Sequence, residues 1–208
     1  MKIKILVLIL LLLPFLAPNA RAAIITFDDL SLGVYGDTLT IGDVTIKSQM
    51  GGKLAITDQT ADGFGNAHSL PNKLSVFGDE PLVPKEKASF LIFFDNPIQS
   101  VNFWITGNGH DTNVDAYNAD GNLVDSFLQT YPMNEPTAPD GRPWDYYYDG
   151  VLRLITLEAS DISKVTVQPS AYDGFSIDDL SYTAIPEPST MLLMLSGLLG
   201  LPFVRRKK

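Results

Sequence analysis

Through the interior of the chain apolar and polar residues alternate with a period of two, the pattern of a strand that buries one face and shows the other to solvent. Between Ile98 and Ile105, Val101, Phe103 and Ile105 fall on one face while Asn102 and Trp104 take the other. Ala88 to Phe94 is equally rich in aromatic and β-branched residues, and Asp95-Asn96-Pro97 predicts a turn between the two runs. Val114 to Tyr117 and Leu123 to Leu128 flank Asn118-Ala119-Asp120-Gly121-Asn122, a hairpin signal. Further strands are predicted at Ile24 to Phe27, Leu39 to Ile46 with a turn at Gly42-Asp43, Lys53 to Thr57, Leu74 to Phe77, Leu152 to Leu157, Lys164 to Gln168 and Phe175 to Thr183. No window of a dozen residues away from the two ends shows a helical repeat. The pattern predicts an all-β chain folded as a two-sheet antiparallel β-sandwich, jelly-roll-like in outline, with long loops at Asp58 to Pro71 and Tyr131 to Gly150.

The two ends break the alternation. Lys2 and Lys4 precede an unbroken apolar run from Ile5 to Phe15, and Ala20-Arg21-Ala22 supplies a small-x-small cleavage site, so residues 1–22 are predicted to be a secretory signal peptide. Residues 23–184 then form the sandwich domain. The tail, residues 185–208, runs from Pro186-Glu187-Pro188 through an apolar stretch, Met191 to Val204, to Arg205-Arg206-Lys207-Lys208. As a helix the apolar stretch reaches roughly 21 Å, against the ~30 Å of a hydrocarbon core. A hydrophobic C-terminal helix this short is better suited to being read and removed than to lasting anchorage.

Those three parts, in that order and spacing, resemble the PEP-CTERM sorting signal of Gram-negative bacteria, with Pro186, Glu187, Pro188, Arg205 and Arg206 as its matching residues. The resemblance implies recognition by an exosortase, an integral-membrane sorting enzyme, and cleavage near the Pro-Glu-Pro. It also implies a passing attachment to the inner membrane, then release to the cell surface or the extracellular polysaccharide matrix.

Removing the ends leaves eight basic against 23 acidic residues, a net charge near −15. Such a balance argues against nucleic acid as a partner, since a polyanion demands a basic face. Cysteine is absent, so thiol catalysis and thiolate metal sites are excluded, and bound metal becomes the obvious source of cross-linking.

The sharpest feature inside the domain is a pair of matching segments, Phe27-Asp28-Asp29-Leu30 and Ile177-Asp178-Asp179-Leu180. In each, the apolar parity changes across the acidic pair, which predicts a bulge that re-aims the carboxylates. Two acidic pairs aimed the same way repel unless a cation lies between them, and oxygen ligands without sulfur or histidine suit Ca²⁺. On these segments the domain resembles the β-sandwich of many PEP-CTERM proteins and, more distantly, calcium-binding jelly-roll carbohydrate-binding modules. That resemblance implies a structural calcium held by Asp28 and Asp178, with Asp29 and Asp179 as alternatives.

Trp144, Tyr146, Tyr147 and Tyr148, interspersed with Asp145 and Asp149, offer rings for the C–H faces of sugars and carboxylates for their hydroxyls. They equally suit sealing an edge of the sandwich. Trp104 is a second possible platform. Catalysis finds little support: the two histidines, His68 and His110, accompany no Gly-x-Ser-x-Gly elbow, and no carboxyl pair is singled out for glycoside hydrolysis. The expectation is a non-enzymatic surface or matrix protein that binds glycan or serves structurally; a polysaccharide-modifying hydrolase or lyase on the same fold is the alternative.

Overall fold

The computed structural model describes residues 22–49, 51–58, 68–69, 71–77, 89–106, 111–130, 152–169 and 176–185. The predicted signal peptide, the tail beyond Ile185 and the loop bearing Trp144 to Tyr148 lie outside them. The described domain is all-β. Its strands are β1 (Ala22–Ile25), β2 (Gly33–Gly36), β3 (Thr38–Ile41), β4 (Val44–Ser48), β5 (Lys53–Asp58), β6 (Asn72–Phe77), β7 (Phe90–Thr106), β8 (Thr112–Tyr117), β9 (Leu123–Gln129), β10 (Arg153–Pro169) and β11 (Ser176–Ala184).

All pairings are antiparallel, and the strands form one continuous hydrogen-bonded sheet. Two layers arise because β7 and β10 are each 17 residues long and serve both. The first half of β7 pairs with β4 and with the end of β10, which continues to β8 and β9. Its second half pairs with β11 and with the start of β10, and β11 leads on to β6, β5 and β2, with β1 beside it. Side chains of both layers meet in one core. Ile46, Ile92, Val114 and Val165 from one layer and Leu54, Leu74, Phe103, Ile155 and Ile177 from the other are fully buried, each worth about 1.5–3 kcal/mol of burial. The Phe94 and Tyr182 rings touch between the layers, with centroids 5.4 Å apart, and the Tyr182 hydroxyl donates to Asp43 in the β3–β4 turn.

The predicted turn at Asp95-Asn96-Pro97 is instead the bend of a continuous strand. The register of β7 against β10 is interrupted there, so the N–H that Pro97 lacks is not demanded by the ladder. Likewise, the separate strands predicted at Leu152 to Leu157 and Lys164 to Gln168 are the two ends of β10, joined through a bulged stretch where the strand passes from one layer to the other. β2 had no signal in the alternation because Gly33 and Gly36 occupy half of its four positions.

Candidate functional site

The two Asp-Asp segments meet, but by different local devices. In β11, Asp178 lies opposite Trp104 and Ser181 opposite Asn102, so the strand carries one residue more than β7 between the same rungs. This is the predicted bulge. Asp179 takes a left-handed conformation there, with φ of 48°, which Asp tolerates better than most residues. β1 does not bulge: it ends at Ile25, and Phe27, buried and itself at φ of 62°, opens a turn closed by the Leu30 N–H on the Phe27 carbonyl at 3.1 Å. Asn72 fastens this turn to β6. Its backbone N–H donates to Asp28 Oδ1 at 2.9 Å, and its side-chain amide donates to the carbonyls of Leu30 and Asp28 at 3.0 and 3.3 Å.

Three carboxylates consequently converge on one hydroxyl. Ser69 Oγ lies 2.8 Å from Asp179 Oδ1, 3.4 Å from Asp28 Oδ2 and 3.5 Å from Asp178 Oδ2. A hydroxyl has a single proton to donate, and the shortest contact assigns it to Asp179. Asp178 is fully buried, and its Oδ2 accepts the Ser69 N–H at 2.9 Å while Oδ1 accepts the Asp179 N–H at 2.8 Å. Its carboxyl is raised from 3.8 to about 6, by burial first and by the Asp179 charge besides, while the N–H groups of Ser69, Asp179 and His68 oppose both. Asp29 is exposed. The donor set is hard oxygen and carries excess negative charge, which fits a calcium ion better than a transition metal. Among the described residues, however, no three acidic or histidine side chains are arranged to hold a metal ion; the Ser69 hydroxyl is what the carboxylates share.

His68 and Ser69 had no signal beyond belonging to a long polar loop. His68 Nδ1 lies 2.5 Å from Asp179 Oδ2, and the imidazole stacks on Trp104 with ring centroids 4.0 Å apart and planes 10° from parallel. Trp104, the second platform considered from the sequence, is therefore half-buried beneath a histidine that the bulge orients. The Ser69 hydroxyl donates to Asp179 and not to the His68 ring. Trp144, Tyr146, Tyr147 and Tyr148 lie outside the described residues, as do the sorting residues Pro186, Glu187, Pro188, Arg205 and Arg206.

The tail is decided by its sequence. Residues 184–208 match the PEP-CTERM protein-sorting motif. The motif implies an exported protein that an exosortase sorts and that is held at the membrane before processing. No curated protein matches this chain. Among solved structures, a cleaved adhesin domain of Lys-gingipain is 16% identical over 78% of this chain and 99% of its own, with a TM-score of 0.51. A second such domain, from Porphyromonas gingivalis, is 13% identical over 80% and 99%, with a TM-score of 0.50. A family 29 carbohydrate-binding module complexed with mannohexaose is 11% identical over 80% and 93%, with a TM-score of 0.42. At such identities the adhesin domains establish a shared β-sandwich fold and nothing finer.

Proposed function

We propose that this is a non-catalytic glycan-binding protein of the cell surface or exopolysaccharide matrix, delivered by an exosortase that removes its tail. The observation that carries the reading is the sorting motif attached to a sandwich of adhesin-domain fold. Polysaccharide is the material that surrounds a protein at such an address. In this reading Asp28 and Asp178, two of the carboxylates gathered at the Ser69 hydroxyl, close onto a structural Ca²⁺ that takes over from that hydroxyl as the group they share. The ion ties the β1 turn to the β11 bulge and offsets the repulsion between them.

Retention of the mature protein on a panel of immobilised polysaccharides tests the binding. The expected result is retention by at least one glycan with no release of reducing ends or unsaturated products. Turnover of any retained glycan would replace this reading with the hydrolase or lyase alternative, and passage through every matrix would leave only a structural role.

A further inference from the structure

The outward face of the layer β3-β4-β7-β10-β8-β9 takes no part in the carboxylate cluster, and its side chains are not those of an inert surface. Because Val44, Ile46, Ile92, Phe94, Val114 and Val165 all point into the core, alternation sends their neighbours outward. Register then aligns Thr45, Phe93, Lys164, Tyr117 and Leu123 in one row across five strands. The row beside it contains Lys47, Leu91, Thr166, Asp115 and Ser126. Lys47, Leu123 and Ser126 are exposed, and Phe93, Tyr117 and Lys164 are half-buried, so the face is open.

Two features give this face a ligand chemistry. Lys164 Nζ stands 4.2 Å from the Tyr117 ring centroid and Lys47 Nζ 5.5 Å from that of Phe93, so each ring is paired with a cation. Two of the eight cations of residues 23–184 thereby stand on this face against one acid, Asp115, so the two rows are locally basic on an otherwise strongly acidic protein. Phe93 and Tyr117 are two strands apart, about 10 Å by strand spacing, a separation that lets alternate residues of an extended glycan meet successive rings. Independently, Thr166 is 6% exposed and its Oγ1 finds no hydrogen-bond partner among the described residues. A buried hydroxyl left unpaired costs stability, and this one stands in the middle of the face, between Leu91 and Asp115.

We infer that this face is a polysaccharide-binding site selective for uronate-bearing chains. Sugar C–H faces lie on Phe93 and Tyr117, uronate carboxylates meet Lys47 and Lys164, and a ring hydroxyl pairs with Thr166. The inference rests on the glycan-binding reading above and gives it a place and a charge. Neutral chains could use the rings but would leave the ammonium groups without their anions, which is why the site discriminates by charge.

The test is affinity electrophoresis of the mature protein in gels containing polygalacturonate or a neutral β-glucan. Polygalacturonate should retard the protein more strongly, and the retardation should fall with added salt as an ion-paired contact requires. Lys47→Glu with Lys164→Glu, and separately Tyr117→Ala, should each weaken it about tenfold. Thr166→Val, nearly isosteric and so safe for folding, should also weaken it while raising the melting temperature of the free protein. Polygalacturonate binding that survives all three changes overturns the inference. Binding of the neutral glucan alone, untouched by these substitutions, overturns it too but leaves the glycan-binding reading standing. Retardation by neither polymer counts against the inference, and the wider glycan panel then decides the reading on which it rests.

Discussion

Asp178 is the residue at which fold and chemistry pull in opposite directions. Its carboxyl is buried, is beside Asp179 and is raised to about 6, against 3.8 when unburied. Between those values the folded chain therefore binds a proton that the unfolded chain has released. The linkage sign follows: the contribution to stability is complete below about pH 4 and is lost as the pH climbs through 6. Over that span it amounts to about 3 kcal/mol at most. In chelator the urea midpoint should accordingly be higher at pH 5 than at pH 7. On the proposed calcium site, added Ca²⁺ should reverse the slope, because the cation requires the ionised carboxylate, and should raise the melting temperature at pH 7 by mass action. Midpoints that rise from pH 5 to pH 7 in chelator would contradict the burial argument. A melting temperature indifferent to EDTA at pH 7 would remove the calcium.

At the scale of elements, the β11 bulge decides where the carboxylates go. Asp179 sits at positive φ, a conformation that costs a β-branched residue about 1–2 kcal/mol. Asp179→Asn should preserve the bulge, whereas Asp179→Val should lose that much more stability, measured as the difference between their denaturation midpoints; equal midpoints would mean that the backbone is not what selects Asp. This bulge was legible in the sequence because the parity of apolar residues changes across Asp178-Asp179, and parity is a local property. The matching change across Asp28-Asp29 looked the same but marks a strand end and a turn, since what distinguishes the two is whether β7 continues alongside. The bends of β7 and β10 were illegible for a related reason. Asp95-Asn96-Pro97 has the composition of a turn, and only the pairing of its two flanks with different neighbours keeps the strand unbroken.

For the whole molecule, alternation was enough to give an all-β sandwich, because the periodicity is imposed by the core itself. The approach of His68 and Ser69 to the bulge was not foreseeable. It joins positions more than a hundred residues apart through a polar loop, and a polar loop has no periodicity to read. The outward face carrying Phe93, Tyr117, Lys47 and Lys164 was hidden in the same way: each residue is ordinary in its own strand, and only the register aligns them. The sorting tail lies at the opposite extreme, since its meaning is wholly linear. On the proposed function this tail is an address removed on delivery, leaving the sandwich to act at the surface. The most direct measurement is the intact mass of the protein recovered from the surface of an exosortase-bearing host. The expected mass is that of a chain beginning near Ala23 and ending close to Pro186-Glu187-Pro188; a surface protein that still ends at Lys208 would rule out removal of the tail.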